Sequence, residues 1–376
     1  MMKTLLAKLF FLLALLGIGN GNALAATAPV LGAAENFAVL AGTSVTNVGA
    51  SVVTGELGVS PGATVTGFSP PGTVNGGTIH LADISAADAQ TAATSAYNDL
   101  ATQACTQDLT GQDLGGQTLV PGVYCFSTAA QLTGALTLTG SGVYIFQIGS
   151  TLTTASSSSV LPINGAQQSA VFWQVGSSAT LGASTAFNGT VIALTSITLN
   201  NGATVSGRTL ARTGTVTLDS NPVSVFPIIS IVKSVTVFSD PVNATTNPKA
   251  IPGSEMAYSL TVTNSGLGAV DIGTTAITDS IPSHMSLCVS TLCNTPPILF
   301  SCSAAPACGL AYTYATDVSY SSQPGGGAPY TYAAVPDAAG YDINVTGVRV
   351  NPIGVFNGAS GGGNPSFTLS LKMKIK

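Results

Sequence analysis

Val143-Tyr-Ile-Phe-Gln, Val171-Phe-Trp-Gln-Val, Val191-Ile-Ala-Leu-Thr and Thr209-Leu-Ala-Arg-Thr open four successive units of one pattern. Each is followed by a run that alternates small polar with apolar residues: Ser150-Thr-Leu-Thr, Ser178-Ala-Thr-Leu-Gly, Ser196-Ile-Thr-Leu-Asn and Thr215-Val-Thr-Leu-Asp. In the middle two units a third run ends in glycine, at Phe187-Asn-Gly and Val205-Ser-Gly. Three strand-like runs per unit, with units starting at 143, 171, 191 and 209, read as the coils of a three-sided β-solenoid.

Strand residues point alternately to the two sides of a sheet. In the second run of each unit, Leu152, Leu181, Leu199 and Leu218 are therefore expected to face inward and stack, and Thr151, Thr153, Ser178, Thr180, Ser196, Thr198, Thr215 and Thr217 to face outward. Coils stack about 4.7–4.9 Å apart, so the outward positions become a regular grid of threonine and serine. Residues 37 to 80 carry the same alternation, with Val45 and Val53 inward and Ser44, Thr46 and Thr54 outward. Residues 86 to 104 carry alanine at most positions, with Tyr97 and Leu100 on one side, and Ser85 stands before them as an N-cap with Asp88 three residues on, which predicts a helix over about 85–104. Its small side chains suit close packing against the apolar first run of each coil, where Phe172 and Ile192 need covering. The turn-rich stretch 105–122 is placed as an end cap, since an open solenoid end exposes unpaired strand edges.

Seven separated motifs occur along residues 29–226: Phe37-Ala-Val-Leu-Ala-Gly, Val45-Thr-Asn-Val-Gly, Thr54-Gly-Glu-Leu-Gly-Val-Ser-Pro-Gly, Val65-Thr-Gly-Phe, Leu119-Val-Pro-Gly-Val-Tyr, Phe187-Asn-Gly-Thr-Val-Ile-Ala and Gly207-Arg-Thr-Leu-Ala-Arg. In these motifs and their order the chain resembles the bacterial and fungal ice-binding proteins. The resemblance implies an irregular, right-handed β-helix with one α-helix beside it. It also implies that the coil with Thr46 stacks beside the one with Thr217, and that the protein adsorbs to ice without turning over a substrate.

Composition sets the outer limits. Charged residues are 7% of the chain against about 25% in an average soluble protein, and hydrophobics reach 45%, so the chain is a neutral, Gly/Ser/Thr/Ala-rich β protein. A net charge of −5 with no basic cluster gives no footprint for nucleic acid or for an anionic membrane. Lys3 and Lys8 before the apolar run Leu9 to Ile18, then Ala23-Leu-Ala25, read as an export signal over residues 1–25; no membrane span is expected, and the product is placed outside the cell or at its surface. In an exported chain the six cysteines suggest disulfides, with Cys105 and Cys125 in the first domain and Cys288, Cys293, Cys302 and Cys308 in the second. Zinc is the rival for the clustered four.

From residue 227 the texture changes to longer alternating strands. Ile251 to Gly266 and Thr278-Asp-Ser-Ile-Pro282 resemble the antiparallel, Ig-like β-sandwich repeat domains of bacterial surface proteins, which implies a spacer or adhesive role toward cell-surface or matrix components for 227–376. Catalysis finds no support: His80 and His284 have no motif around them and are placed in surface loops, the repeated faces lack the paired carboxylates of a glycosidase, and neither a phosphate cradle nor a calcium-binding repeat is present. No cofactor or metal is expected.

What needs a function is the flat, uncharged grid. The expected ice-contacting residues are Thr46, Thr133, Thr151, Thr153, Ser178, Thr180, Ser196, Thr198, Thr215 and Thr217. A rival set lies on the third side, where Thr54, Thr66, Thr139, Asn188 and Ser206 each precede a glycine. The competing class is a surface adhesin or structural stalk without ice activity. Glycan binding is weaker, because aromatic platforms are scarce and Trp173 belongs to the helix-covered run.

Overall fold

The computed structural model describes residues 25–270, 272–360 and 363–376. The expected export signal lies outside the described residues apart from Ala25. Up to residue 224 the chain winds in parallel coils with three strands each. The first side stacks Gly122–Phe126, Tyr144–Ile148, Val171–Val175 and the second halves of Ala186–Ala193 and Thr204–Ala211. The second side stacks Ala130–Leu132, Leu152–Thr154, Ala179–Leu181, Ile197–Leu199 and Val216–Asp219. The third stacks Ala135–Thr139, Ser159–Ile163, the first halves of the two long strands, and Pro222–Ser224. The long strands pass from the third to the first side at Gly189 and Gly207, which are paired and have φ of 113° and 144°. A Cβ on Gly189 would lie 2.6 Å from the Val171 carbonyl oxygen, and one on Gly207 would overlap that of Gly189, so this corner admits only glycine.

Stacking continues across a break in the chain. Phe37–Ala41 pairs with Thr204–Ala211, Ser44–Val48 with Val216–Asp219, and Val52–Val59 with Pro222–Ser224, so the first coil completes the stack beside the last. Asn221, fully buried, seals this seam: its backbone N–H donates to Ser51 Oγ at 2.8 Å, and its side-chain amide donates to the carbonyls of Asn200 and Ala203 at 2.9 Å. Thr64–Thr66 and Thr73–Leu81 form the outermost coil, and the chain then returns along the first side as a helix, Ile84–Thr102, to begin the other end at Gln107–Asp108.

Alternation on the first side sorts its residues between two cores. Tyr124, Phe146 and Trp173 point into the solenoid and stack, with ring centroids 5.5 and 3.9 Å apart, and the Trp173 indole N–H donates to the Asn188 carbonyl. Phe37, Leu40, Val123, Ile145, Phe172, Ile192 and Leu210 point out and meet Ala89, Ala93, Ala96, Tyr97 and Leu100 of the helix. The helix is capped by Asp83, whose carboxylate accepts the Ala86 N–H at 2.9 Å, and not by Ser85. At its far end the Gln147 amide donates to the Leu100 and Gln103 carbonyls, satisfying acceptors that a helix end leaves open.

In the second run the inward stack differs from the expected leucine column. Leu152 pairs with Ala179, and Leu181 with Leu199, so Leu152 belongs to an apolar column with Ile197, Val216 and Val45. The place beneath Leu181 falls to Thr154, which is buried and hydrogen-bonded to Thr185 Oγ1 at 2.8 Å. The spacing from the first side is the same in both coils, Ile148 to Leu152 and Val175 to Ala179, so the leucine of the earlier run comes two residues sooner, and a two-residue offset keeps every side chain on its face while moving it one column.

From Ile229 on, the strands are antiparallel. Ile229–Ser239, Glu255–Asn264 and Ser366–Ile375 pair in that order, with Met285–Cys288 and Ile298–Cys302 both on the last of them, and a smaller sheet joins Ile277–Ser280, Gly347–Val350 and Val318–Ser321. Met256, Leu260, Val348, Val350, Phe356, Phe367 and Leu369 form a common core. The cysteines pair as 105–125, 288–293 and 302–308, which leaves the clustered four no free thiolate for zinc. Leu267 packs on the solenoid core beside Val225, so the antiparallel part meets the solenoid at the third side.

Two outcomes are expected. Phe172→Ala, which empties the space between helix and solenoid, should lower unfolding free energy by about 3–5 kcal/mol, read from denaturant titration. Asp240 organises the turn after Ser239: N–H donation by Asn243, then Lys249 and Val242, lowers its carboxyl to about 2 from an ordinary 3.8. A depressed carboxyl stabilises the fold above its unfolded value and loses that contribution as pH falls through the folded one. Asp240→Asn should therefore lower the melting temperature at neutral pH and flatten its decline between about pH 4 and 2.

Candidate functional site

The second side is a ladder whose register decides which hydroxyls line up. Thr66 pairs with Thr46, Thr46 with Thr217, Thr217 with Thr198, Thr198 with Thr180, and Thr180 with Thr153. Six threonines thus stand in one column, each on a β-branched side chain with a restricted χ1 that carries a methyl and a hydroxyl together. Two positions earlier in each strand lies a second column: Thr64, Ser44, Thr215, Ser196, Ser178 and Thr151. Rungs repeat at about 4.8 Å, and the columns lie about 6.6 Å apart along the strands. All twelve are intermediate or exposed, while Val65, Val45, Val216, Ile197, Ala179 and Leu152 between them point inward.

This register places nine of the ten expected residues in the two columns and sets Thr133 apart. Gln131 pairs with Thr153 and so ends the threonine column. Thr133 lies two residues beyond, at the corner, where its N–H donates to Asp113 Oδ1 at 2.9 Å and its hydroxyl accepts from Gln131 Nε2 at 3.2 Å. Burial works to raise the Asp113 carboxyl, but hydrogen bonds from Gly115 and Thr133 outweigh it and hold it below the usual range. Thr66, assigned above to the third side, stands instead on the second; it was hidden because its strand, Thr64–Thr66, is short and the chain before it turns through Pro61-Gly62. Thr64 and Ser44 complete the second column and were also missing from the expected set.

The other two sides are less suited to a flat contact. The helix covers the first. On the third, Thr54 and Ser206 both pair with Ser224, and Asn188 with Ser206, but Thr137 pairs with Leu161 and Thr139 with Ile163, apolar side chains 43% and 44% exposed. Ser206 and Ser224 also line a groove with Ala269 and Val270 of the antiparallel part.

No charged side chain stands in either column. The constellation closest to a catalytic one lies elsewhere and corrects the loop assignment of His80, which sits on Thr73–Leu81. Its Nδ1 is 2.7 Å from Asp83 Oδ2 and its Nε2 3.1 Å from Glu56 Oε2, with the Thr78 hydroxyl 3.0 Å from Nε2 and 3.1 Å from the same Glu56 oxygen. A base activating Thr78 needs a ring nitrogen free to accept its proton, and here both nitrogens face carboxylates. The cluster instead ties the outermost coil to the helix cap. Among the described residues no group of three His, Cys, Asp or Glu side chains is arranged to hold a metal.

Comparison with known proteins places the solenoid. The family described as Ice-binding-like matches residues 39–224. An ice-binding protein of Nostoc sp. (strain HG1) is 55% identical over 208 residues, covering 54% of this chain and 76% of that protein, and one of Flammulina populicola is 38% identical over 221 residues, covering 53% and 89%. The crystal structure of an ice-binding protein from an Antarctic biological consortium superposes with a TM-score of 0.51 at 44% identity, over 53% of this chain and 92% of that one. That of the Antarctic ascomycete Antarctomyces psychrotrophicus gives 0.51 at 43% identity, over 53% and 98%.

Proposed function

The chain belongs to the Ice-binding-like family, and from that premise we propose that it adsorbs to ice through the second side of its solenoid and so arrests local growth and recrystallisation. The observation that carries this reading is the column of six threonines in unbroken register. Hydroxyls at fixed spacing hold first-layer waters in place while the methyl groups between them leave those waters to bond one another. A layer already ordered in solution merges with a crystal face at little further entropic cost, which is the advantage of preorganisation in any association. Charged side chains would hold their own hydration shells and break the layer, and the columns contain none. Nothing is turned over; the work is adsorption.

The antiparallel part supports a second element of the proposal. It meets the solenoid at the third side and leaves the second uncovered, as suits a β-sandwich spacer or adhesive module that presents the solenoid outward. Three disulfides fit an exported protein, and among the described residues no helix is long and apolar enough to cross a membrane.

Thr180→Tyr and Thr198→Tyr each place a ring on the flat face without entering the core. Both variants should retain the wild-type melting temperature and lose thermal hysteresis severalfold; full activity in both would move the contact to another face. Residues 26–226 alone should keep most of the hysteresis of residues 26–376, whereas a folded but inactive fragment would give the antiparallel part a direct role.

A further inference from the structure

The two columns of the second side differ in what their hydroxyls already do. In the three central rungs of the second column they are committed to the protein. Ser178 Oγ accepts the Ser196 N–H at 3.3 Å, Ser196 Oγ accepts the Thr215 N–H at 3.1 Å, and the Thr215 hydroxyl donates back to Ser196 Oγ at 3.5 Å. Gly214 marks the same direction: a Cβ there would overlap Ser196 Oγ, so that oxygen lies along the stack toward the next coil. The central serines thus supply side-chain acceptors for backbone N–H groups at the corner where each strand begins. The threonine column makes no side-chain bond to the backbone, and four of its six hydroxyls are uncommitted. The Thr46 hydroxyl donates to Thr217 Oγ1 at 3.4 Å, within the column, and among the described residues none hydrogen-bonds to the side-chain hydroxyl of Thr66, Thr153, Thr180 or Thr198.

We propose that the threonine column is the water-ordering contact, and that the Ser178 and Ser196 hydroxyls serve coil-to-coil backbone bonding and do not touch ice. This assignment rests on the ice-binding reading and divides its surface. A hydroxyl with both its bonding directions open can hold lattice water, whereas one that already accepts a backbone N–H has its orientation fixed by the neighbouring coil. Among the described residues no side-chain partner is found for the hydroxyls of Thr64, Ser44 and Thr151, at the outer rungs of the second column, so the commitment is confined to the centre of the face.

The test compares two double variants of the full mature chain, Thr180→Ala with Thr198→Ala and Ser178→Ala with Ser196→Ala, by thermal hysteresis per folded molecule and by melting temperature. The threonine pair should lose hysteresis severalfold with little change in melting temperature. The serine pair should melt several degrees lower and keep its hysteresis. Ser196→Thr, which retains the accepting oxygen, should match the wild type in both readouts and serves if the serine pair fails to fold. Equal loss of hysteresis in both pairs, or loss in the serine pair alone, would overturn the assignment. Absence of hysteresis in the wild type would overturn the ice-binding reading and the assignment with it.

Discussion

Parallel hydrogen bonding between successive coils is the constraint from which the rest follows. It sets the rung spacing at about 4.8 Å and lets a side chain recur in the same place only when each coil enters in the same register. That register is held from within: Val45, Val216, Ile197, Ala179 and Leu152 pack in a continuous buried column directly beneath the threonines. A slip of one residue would turn this column to solvent and the hydroxyls to the core. The flatness of the outer face is therefore a consequence of apolar packing on the inner one.

The same constraint accounts for the two features that interrupt simple winding. The first coil sits beside the last, so the threonine column crosses from residue 217 to residue 46 without a covalent link, and the Asn221 N–H donates to Ser51 Oγ across that junction. The helix answers a different need. A sheet that is apolar on both faces must be covered on each, and the first side presents Trp173 inward and Phe172 outward from adjacent residues. Alanine at 89, 93 and 96 lets the helix backbone come close enough to bury Phe172, Ile192 and Ile145. On the second side the outward positions of the two hydroxyl columns are all threonine or serine, with Val48 the exposed apolar residue at the end of its strand, and among the described residues no helix covers this side.

Much of this was legible in the order of residues, because alternation and repetition are local. The second-run threonines at 153, 180, 198 and 217 repeat with a leucine or alanine beside them, and their face follows from period two alone. What was not legible is long-range register. Nothing near Thr133 says that Gln131 occupies the rung below Thr153, because that follows only once Phe126 is paired with Ile148 in the next coil, which sets Ala130 beside Leu152. Thr66 was misplaced because a three-residue strand bounded by Pro61-Gly62 and Gly67 carries too little pattern to show which side it joins. The helix cap was assigned to Ser85 on residue type, whereas Asp83 holds that position and also receives His80 from the outermost coil. In each case the missing information was a contact with a distant segment.

The central claim is that this registered face, whose two hydroxyl columns carry no charge, orders water in a pattern that ice accepts. The most direct measurement is the gap between melting and freezing points of a single ice crystal in a solution of the purified wild-type chain, residues 26–376, with the crystal's shape recorded as it is held in that gap. The account predicts a concentration-dependent gap and a faceted, non-growing crystal. A folded protein that leaves the two temperatures equal and the crystal a rounded disc would contradict it.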